Sequence, residues 1–252
     1  MSLSLASLNL HAGRDRASGR YSVEAAVASL DTDVIVVQEN WRPVGERSVA
    51  ERAAEVCGYR AYAEIDVITG RTLAGLGVAD DDTETGAWGL AVMSRIPWRS
   101  LGTIPLGAAP GDVVGVRRAL VAEIPVGETG VLRVVDVHLT HRLAHGPAQM
   151  RRLLAGLAGS SVPTVIAGDL NMCRPTVWLG GAHRPSVRGR SWPAHRPVAQ
   201  IDHILTGPGV TATQTGVGPA VGSDHLPVRA TLTVSVPAAT LEPPRILAAS
   251  GR

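Results

Sequence analysis

The stretch VIAGDLNM, Val165 to Met172, is an apolar run with strand character that ends in a glycine, a carboxylate and, two residues on, a carboxamide. In a strand, residues i and i+2 share a face, so Asp169 and Asn171 point the same way as the chain leaves the core. Such a pair grips something with oxygen and amide groups. The pattern recurs outward from this stretch. Asn9 ends SLSLASLN, Gln38 and Glu39 end DVIVVQE, and His138 lies at the end of VLRVVDVH. Asp202 opens IDHIL, and SDHLPV places Asp224 and His225 before the last strand. One polar residue at a strand end means little, because strand ends meet solvent. Recurrence along the whole chain points to a shared site. If these ends converge, they supply carboxylates for a hard cation, two carboxamides, and two imidazoles for proton transfer or phosphate binding.

With 252 residues and 26.2 kDa, the chain can bury one large core, and its evenly spread apolar segments show no linker to a second domain. We read residues 1–236 as one domain and the Pro/Ala-rich residues 237–252 as a flexible C-terminal tail. A hydrophobic content of 45% and a mean hydropathy of +0.13 exclude a disordered chain. No apolar run reaches the roughly 20 residues that span a bilayer. The N-terminal MSLSLASLNLHAG lacks a basic leader region and alternates like a strand, which points to the cytoplasm. Cys57 and Cys173 are too few for a disulfide framework and lack zinc-site spacing, which leaves them as buried or idle thiols. The net charge is only +2, but all 24 basic residues are arginine, and lysine and phenylalanine are absent.

Alternating or apolar runs predict strands near 3–9, 33–38, 59–65, 88–94, 119–125, 131–138, 163–168, 201–206 and 226–236. Helical spacing of Ala, Leu and Val predicts helices over 21–30, 46–57 and 147–158, with Pro147 suited to a first turn. The short VGETG turn joins two strands as a hairpin, so the sheet is at least partly antiparallel. Residues 66–87 contain ADDDTETG and read as an exposed, solvated loop, with a cation site as the alternative.

At this point the chain resembles a known superfamily. LNLH, DVIVVQEN, GLAVMSRIP, VVDVHL, VIAGDLN, QIDHIL and GSDHLPV, in this order, look like the endonuclease/exonuclease/phosphatase superfamily. Its members include DNase I-like nucleases, abasic-site endonucleases, neutral sphingomyelinases and inositol-polyphosphate phosphatases. The resemblance spans residues 3 to about 234, and its specific part is GDLN together with SDHLPV. It implies an α/β (α+β), DNase I-like fold: a four-layer sandwich of two mixed β-sheets flanked by helices, with a divalent metal in a cleft at one end. It also implies phosphoester hydrolysis.

The resemblance assigns roles residue by residue. Glu39 matches the metal-binding glutamate and suits Mg²⁺, with Mn²⁺ as a substitute. Asn9 would orient that carboxylate and contact the metal's shell, and Asp224 would be a second ligand. Asp169 would position or deprotonate the attacking water, and Asn171 would donate to a non-bridging phosphate oxygen. His225 would bind or protonate phosphoryl oxygens, held in the right tautomer by Asp202. His138 would stabilise the phosphate or the leaving oxygen. The bland readings make Asn9 a turn residue and Asp224 a cap at the start of the last strand. His11 is left outside the set, His141 and His145 read as surface histidines, and His203 points to the face opposite Asp202 and reads as structural. One departure from the family pattern is Trp88, which stands where a carboxylate partner for a second catalytic histidine is expected. A single Asp202–His225 pair with a metal fits the sequence better.

The substrate reading rests on the segment between two of these carboxylates. From Leu170 to Ile201 there is no Asp or Glu, while Arg174, Arg184, Arg188, Arg190 and Arg196 accompany Trp178, Trp192, His183 and His195. We assign Arg174, Arg188 and Arg190 to substrate binding, because a guanidinium-rich rim beside indole faces suits nucleic acid. The alternatives are a soluble Arg-rich loop without that role, a phosphatase or sphingomyelinase-like hydrolase of a small or lipid phosphoester, and a catalytically silent binding module. No sequence feature identifies a protein partner.

Overall fold

Among residues 2–80, 82–178 and 181–235, which the computed structural model describes, the apolar runs assemble into two six-stranded sheets. The first contains β1 (Ser2–Asn9), β2 (Val34–Pro43), β3 (Ala61–Thr72), β4 (Thr85–Ser94), β11 (Val210–Val217) and β12 (Val228–Val234). Its spatial order is β11-β12-β1-β2-β4-β3. The second contains β5 (Ser100–Ala108), β6 (Val116–Val126), β7 (Gly130–His138), β8 (Thr164–Asp169), β9 (Arg184–Pro185) and β10 (Asp202–Thr206), in the order β5-β6-β7-β8-β10-β9. The pairs β1·β2 and β7·β8 are parallel and the other pairs are antiparallel, so both sheets are mixed.

Alternation along the strands sets the layers. Leu3, Leu5, Val34 and Val36 face the second sheet and pack with Leu132, Val134, Val165 and Ala167. Their neighbours Ala6, Leu8, Ile35 and Val37 face outward against α1 (Val23–Leu30) and α2 (Val49–Val56). On the far side, Val135, Val137 and Ile166 pack under Met150, Leu153 and Leu157 of α4 (Gly146–Leu157). Strands buried on both faces read as near-continuous apolar runs, as these do. The result is the four-layer sandwich, helices outside and sheets within. Ser22 and Ser48 cap α1 and α2 by accepting from the backbone N–H groups of Ala25 and Glu51.

Three parts of the sequence reading need correction. Residues 66–87 are not one exposed loop: β3 continues to Thr72, α3 (Leu73–Leu76) follows, and β4 begins at Thr85. Edge strand β3 is polar because its outer side faces solvent, and its pairing with β4 slips twice, which masks the period of two. Within ADDDTETG, Asp82 is ion-paired with Arg14. Strands β5 and β11 were missed, and both are edges. SLGTIPLGA carries two glycines and a proline, which an edge strand tolerates, and VTATQTGV lacks large apolar residues. The four-residue helix α5 (Arg174–Val177) was likewise unforeseen. The tail reading for 237–252 falls outside the described residues.

The layer between the sheets is not wholly apolar. Gln38 Nε2 donates to Asp136 Oδ1 at 2.6 Å and Ser7 Oγ donates to Gln38 Oε1 at 3.3 Å, linking the sheets. Asp136 Oδ2 has no hydrogen-bond partner, and burial raises the Asp136 pKa well above the ordinary carboxyl value of 3.8. The folded state therefore keeps a proton that the unfolded chain releases. Stability falls as pH rises above the unfolded carboxyl's range. Asp136→Asn keeps an acceptor for Gln38 and removes the titration. Thermal unfolding followed by circular dichroism should show the variant gaining on the parent between pH 5 and pH 8; parallel pH profiles would refute the assignment.

Candidate active site

The topology brings the polar strand ends to one edge. Asn9 pairs with Gln38 at the end of β1·β2, His138 with Asp169 at the end of β7·β8, and Asp202 opens β10 opposite Asp169. Gly168 makes the second juxtaposition possible. A Cβ there, at φ 147°, would fall 1.9 Å from the Val137 carbonyl oxygen, so any side chain would drive β7 and β8 apart. That explains the glycine before Asp169. Glu39 arises differently. The register between β2 and β4 slips between Gln38 and Asn40, leaving Glu39 as the unpaired bulge residue at φ 54°. A bulge re-aims one side chain out of the alternation, and this one lines the cleft.

At the cleft, a second carboxamide links the two sheets. Asn9 Nδ2 donates to Glu39 Oε1 at 3.0 Å and to Asp169 Oδ2 at 3.2 Å, while Asn9 Oδ1 accepts from the His11 N–H at 2.9 Å. Asp169 Oδ1 accepts from the Asn171 N–H at 2.9 Å. The Asn171 side chain donates one Nδ2 bond to the Leu139 carbonyl at 2.9 Å. His138 Nε2 lies 3.4 Å and His225 Nε2 3.9 Å from Asp169 Oδ2. Both Asp202 oxygens stand against His225 Nδ1, at 3.0 and 3.1 Å.

The two histidines differ electrostatically. Burial works against charge on His225, but Asp202 overrides it and the pKa rises to about 10. Burial first, and then the Arg117 guanidinium, push His138 well below its ordinary value. Its Nδ1 is buried without a hydrogen-bond partner, and its ring packs on Trp88 at 5.2 Å between centroids. Trp88 thus occupies the place where a carboxylate was expected. Asp169 is raised to about 7, chiefly by burial and next by Asp202.

The residues present fit a divalent cation. Asp224 Oδ1 is buried with no hydrogen-bond partner, and Glu39 lines the same cleft. A carboxylate oxygen stripped of water and without a donor is what a hard cation binds. Asp169, Asp202 and His225 also offer ligand atoms within 4.8 Å of one another, although both Asp202 oxygens are directed to His225.

Sequence reasoning missed several parts of the site. Trp192 Nε1 donates to Asp224 Oδ2 at 3.3 Å. Ser191 Oγ accepts from the Asp202 N–H, and Ser223 Oγ donates to the Asn9 carbonyl at 2.6 Å. Arg117 donates to Asp112 through Nε at 2.8 Å and to the His138 carbonyl through Nη1 at 3.2 Å. Ser223 had a signal inside GSDHLPV, and Trp192 was among the indoles of the Arg-rich segment, though without its link to Asp224. His11 and His141 line the cleft, whereas His203 is buried with Nε2 2.9 Å from the Met172 carbonyl oxygen. The arginine assignments divide. Arg174 is engaged internally, donating to the carbonyls of Val187 and Pro185 at 2.7 and 3.2 Å. Those bonds brace the loop from within. Arg188 and Arg190 are exposed, but neither lines the cleft.

This convergence of strand ends on a carboxylate–histidine cleft defines a hydrolase of the DNase I-like class. The sequence model of the Endonuclease/Exonuclease/phosphatase family matches residues 6–225, and the chain belongs to that family. Its members are phosphoester-hydrolysing enzymes that depend on divalent metals. A comparison with curated protein sequences finds no match. Among solved structures, the chain is similar to an endonuclease/exonuclease/phosphatase from Beutenbergia cavernae, with 21% identity, TM-score 0.73 and coverage of 93% of this chain and 72% of that one. It is similar to a mannosyl-6-phosphatase from Bacteroides thetaiotaomicron at 17% identity, TM-score 0.69, covering 92% and 99%. It is also similar to D. rerio TDP2 complexed with a single-strand DNA product, at 14% identity, TM-score 0.62, covering 92% and 99%. No helix among the described residues is long and apolar enough to cross a membrane.

The His225–Asp202 pair has a direct spectroscopic consequence. Because the folded pKa is raised from 6.5 to about 10, the pair's contribution to stability is fully present below the unfolded value and is lost as pH rises through about 10. Histidine NMR of the metal-free protein should show both ring nitrogens of His225 protonated at pH 8, and Asp202→Asn should abolish this. Titration near 6.5 in the parent protein would end the assignment.

Proposed function

We propose that the protein is a Mg²⁺-dependent phosphodiester hydrolase, with Mn²⁺ able to replace Mg²⁺. The observation that carries this reading is the Asp169 carboxylate, whose Oδ2 faces Asn9, His138 and His225 together. Glu39 and Asp224 would hold the cation, with Asn9 orienting Glu39. When bound, the cation supplies charge stabilisation at the phosphoryl oxygens and at the attacking water.

The chain's own residues supply the rest. Asp169, with Oδ1 fixed by the Asn171 N–H, uses Oδ2 to orient the water and take its proton. The His225 imidazolium donates from Nε2 to a non-bridging oxygen, while Asp202 on Nδ1 preserves that tautomer and charge. The second Nδ2 hydrogen of Asn171 serves a neighbouring oxygen. As the water oxygen bonds to phosphorus, the P–O bond to the leaving group breaks and its electron pair goes to the leaving oxygen, to which His138, held uncharged, is a neutral hydrogen-bond donor and which takes its proton from solvent. We place the reaction in the cytoplasm, a compartment that suits the free thiols Cys57 and Cys173.

Activity should require added divalent metal, and Glu39→Gln should lose most of it, because the amide offers no charge to the cation. Asp169→Asn and His225→Ala should each lower turnover of bis-p-nitrophenyl phosphate about a hundredfold or more. Asp202→Asn should add little in a His225→Ala background, since members of one unit are non-additive. Full metal-dependent turnover in folded Glu39→Gln, or a fully additive Asp202 effect, would overturn these roles.

A second reading, a nuclease, draws on Arg188 and Arg190. Both are exposed, and among the described residues neither forms an ion pair or hydrogen bond, so both are free for a phosphate backbone. Replacing both with alanine should reduce the salt slope of DNA binding by about one to two units, one per lost phosphate contact. An unchanged slope would remove the nuclease reading.

A further inference from the structure

The cleft has a volume of about 450 Å³, and most of its wall is not part of the catalytic group. Leu76, Val78, Val113, Leu143 and Ile201, from four separate segments, line it with Trp192. Several would be expected under cover if the cleft were filled only by a metal and a phosphate. Leu143 is 81% exposed and Val113 54% exposed.

Cationic groups are correspondingly scarce. Among the described lining residues the only guanidinium is Arg117, which is 3% exposed and already donates to Asp112 and to the His138 carbonyl. None of the arginines between Leu170 and Ile201 lines the cavity. The wall therefore offers apolar surface and no free permanent positive charge beside the reacting centre.

Trp192 is the best-built part of this surface. Its Nε1 is held by Asp224 Oδ2 at 3.3 Å, and its ring centroid lies 6.4 Å from that of His225. The backbone around it is clamped. Trp192 and Ala199 exchange N–H···O bonds at 3.0 and 2.9 Å, the Leu226 N–H donates to the Ser191 carbonyl at 2.8 Å, and the Ala194 N–H donates to the Asp224 carbonyl at 2.7 Å. Yet the residue remains 38% exposed. A rigid indole with one edge tied down and a part left open beside the catalytic imidazole is pre-organised to receive a flat ring.

We propose that the substrate carries an apolar, ring-bearing group on its phosphoester, and that Trp192 is the subsite that binds it. The inference rests on the phosphoester-hydrolase reading and narrows it. An uncharged aryl group next to the reacting phosphate fits the wall; a continuing polyanion does not, because it would lie against apolar side chains with no free guanidinium among the described lining residues to pair with it. Indole–ring stacking of this kind, measured by alanine substitution, corresponds to about tenfold or more in affinity.

The test is binding of two non-hydrolysable probes, phenylphosphonate and methylphosphonate, to the full chain with Mg²⁺, measured by calorimetry. Phenylphosphonate should bind about tenfold tighter than methylphosphonate, and Trp192→Ala should erase that preference. Trp192→Phe, which keeps a ring face but loses the bond to Asp224, should retain it, separating a stacking role from mere support of Asp224. The preference should also survive in His225→Ala, which is expected to lower turnover about a hundredfold or more, so failure of the hydrolase reading and failure of the subsite are distinguishable. Equal binding of the two probes by the parent protein would overturn the proposal. So would a dinucleotide that binds tighter than phenylphosphonate and loses that advantage in the Arg188→Ala, Arg190→Ala double variant.

Discussion

A single carboxamide, Asn9, donates to carboxylates that reach it from both sheets, Glu39 at 3.0 Å and Asp169 at 3.2 Å. Everything at this end of the sandwich depends on that bridge. Two carboxylates near one point repel each other in a low-dielectric setting, and a shared donor relieves part of that repulsion. Asn9 is fixed in turn, with Oδ1 held by the His11 N–H and its carbonyl by Ser223 Oγ. One turn of pleat below, the Ser7–Gln38–Asp136 link sets the two sheets in fixed relation. The bridge exists because Asn9 ends β1, Asp169 ends β8, and these two strand ends lie within hydrogen-bond reach across the sandwich.

The two histidines show how one cleft assigns different work to the same side chain. His225 has a carboxylate partner and is charged; His138 has an indole partner and a nearby guanidinium and is not. The difference traces to one residue on β4, Trp88, which fills with ring surface the position that a second carboxylate would need. An imidazole packed on an indole, with no carboxylate on Nδ1, can still orient and donate from Nε2, but nothing on Nδ1 holds a second proton. Under the proposed reading, the acid–base load therefore falls on Asp169 and the Asp202–His225 pair.

Legibility in the sequence followed burial. Strands with both faces covered, such as DVIVV and PTVIA, wrote themselves as apolar runs, and the polar residue at each end stood out against them. The edge strands did so less: β3 was legible only over its first half and β5 and β11 not at all, because half of each faces solvent and their pairing slips at bulges. Within the site, Glu39, Asp169 and His225 were visible as residue types in a motif, whereas Trp192, Ser191 and Arg117 act through partners distant in sequence that no local pattern encodes. Arg174 illustrates the limit most plainly. Counting guanidinium groups between Asp169 and Asp202 said nothing about which of them were already bound to carbonyls, and this one was.

Under the proposed reading, the Arg117–Asp112 pair accounts for why the cleft would need a cation before it could accept a phosphoester. A buried ion pair of this kind is a weak source of stability, since desolvation offsets most of the attraction. Its effect here is local: Arg117 neutralises Asp112, steadies the end of β7 through the His138 carbonyl, and is thereby withheld from any ligand. What remains facing the cavity is Glu39, Asp169 and Asp224 against the imidazolium of His225. An anionic phosphate approaching that balance meets more negative than positive charge in a partly desolvated space, where repulsion is poorly screened. Under the proposed reading, a divalent cation on Glu39 and Asp224 reverses the sign of the field at the cleft floor. Metal binding is then a condition for substrate binding as well as for chemistry, and the apolar wall is left to select what the phosphate carries.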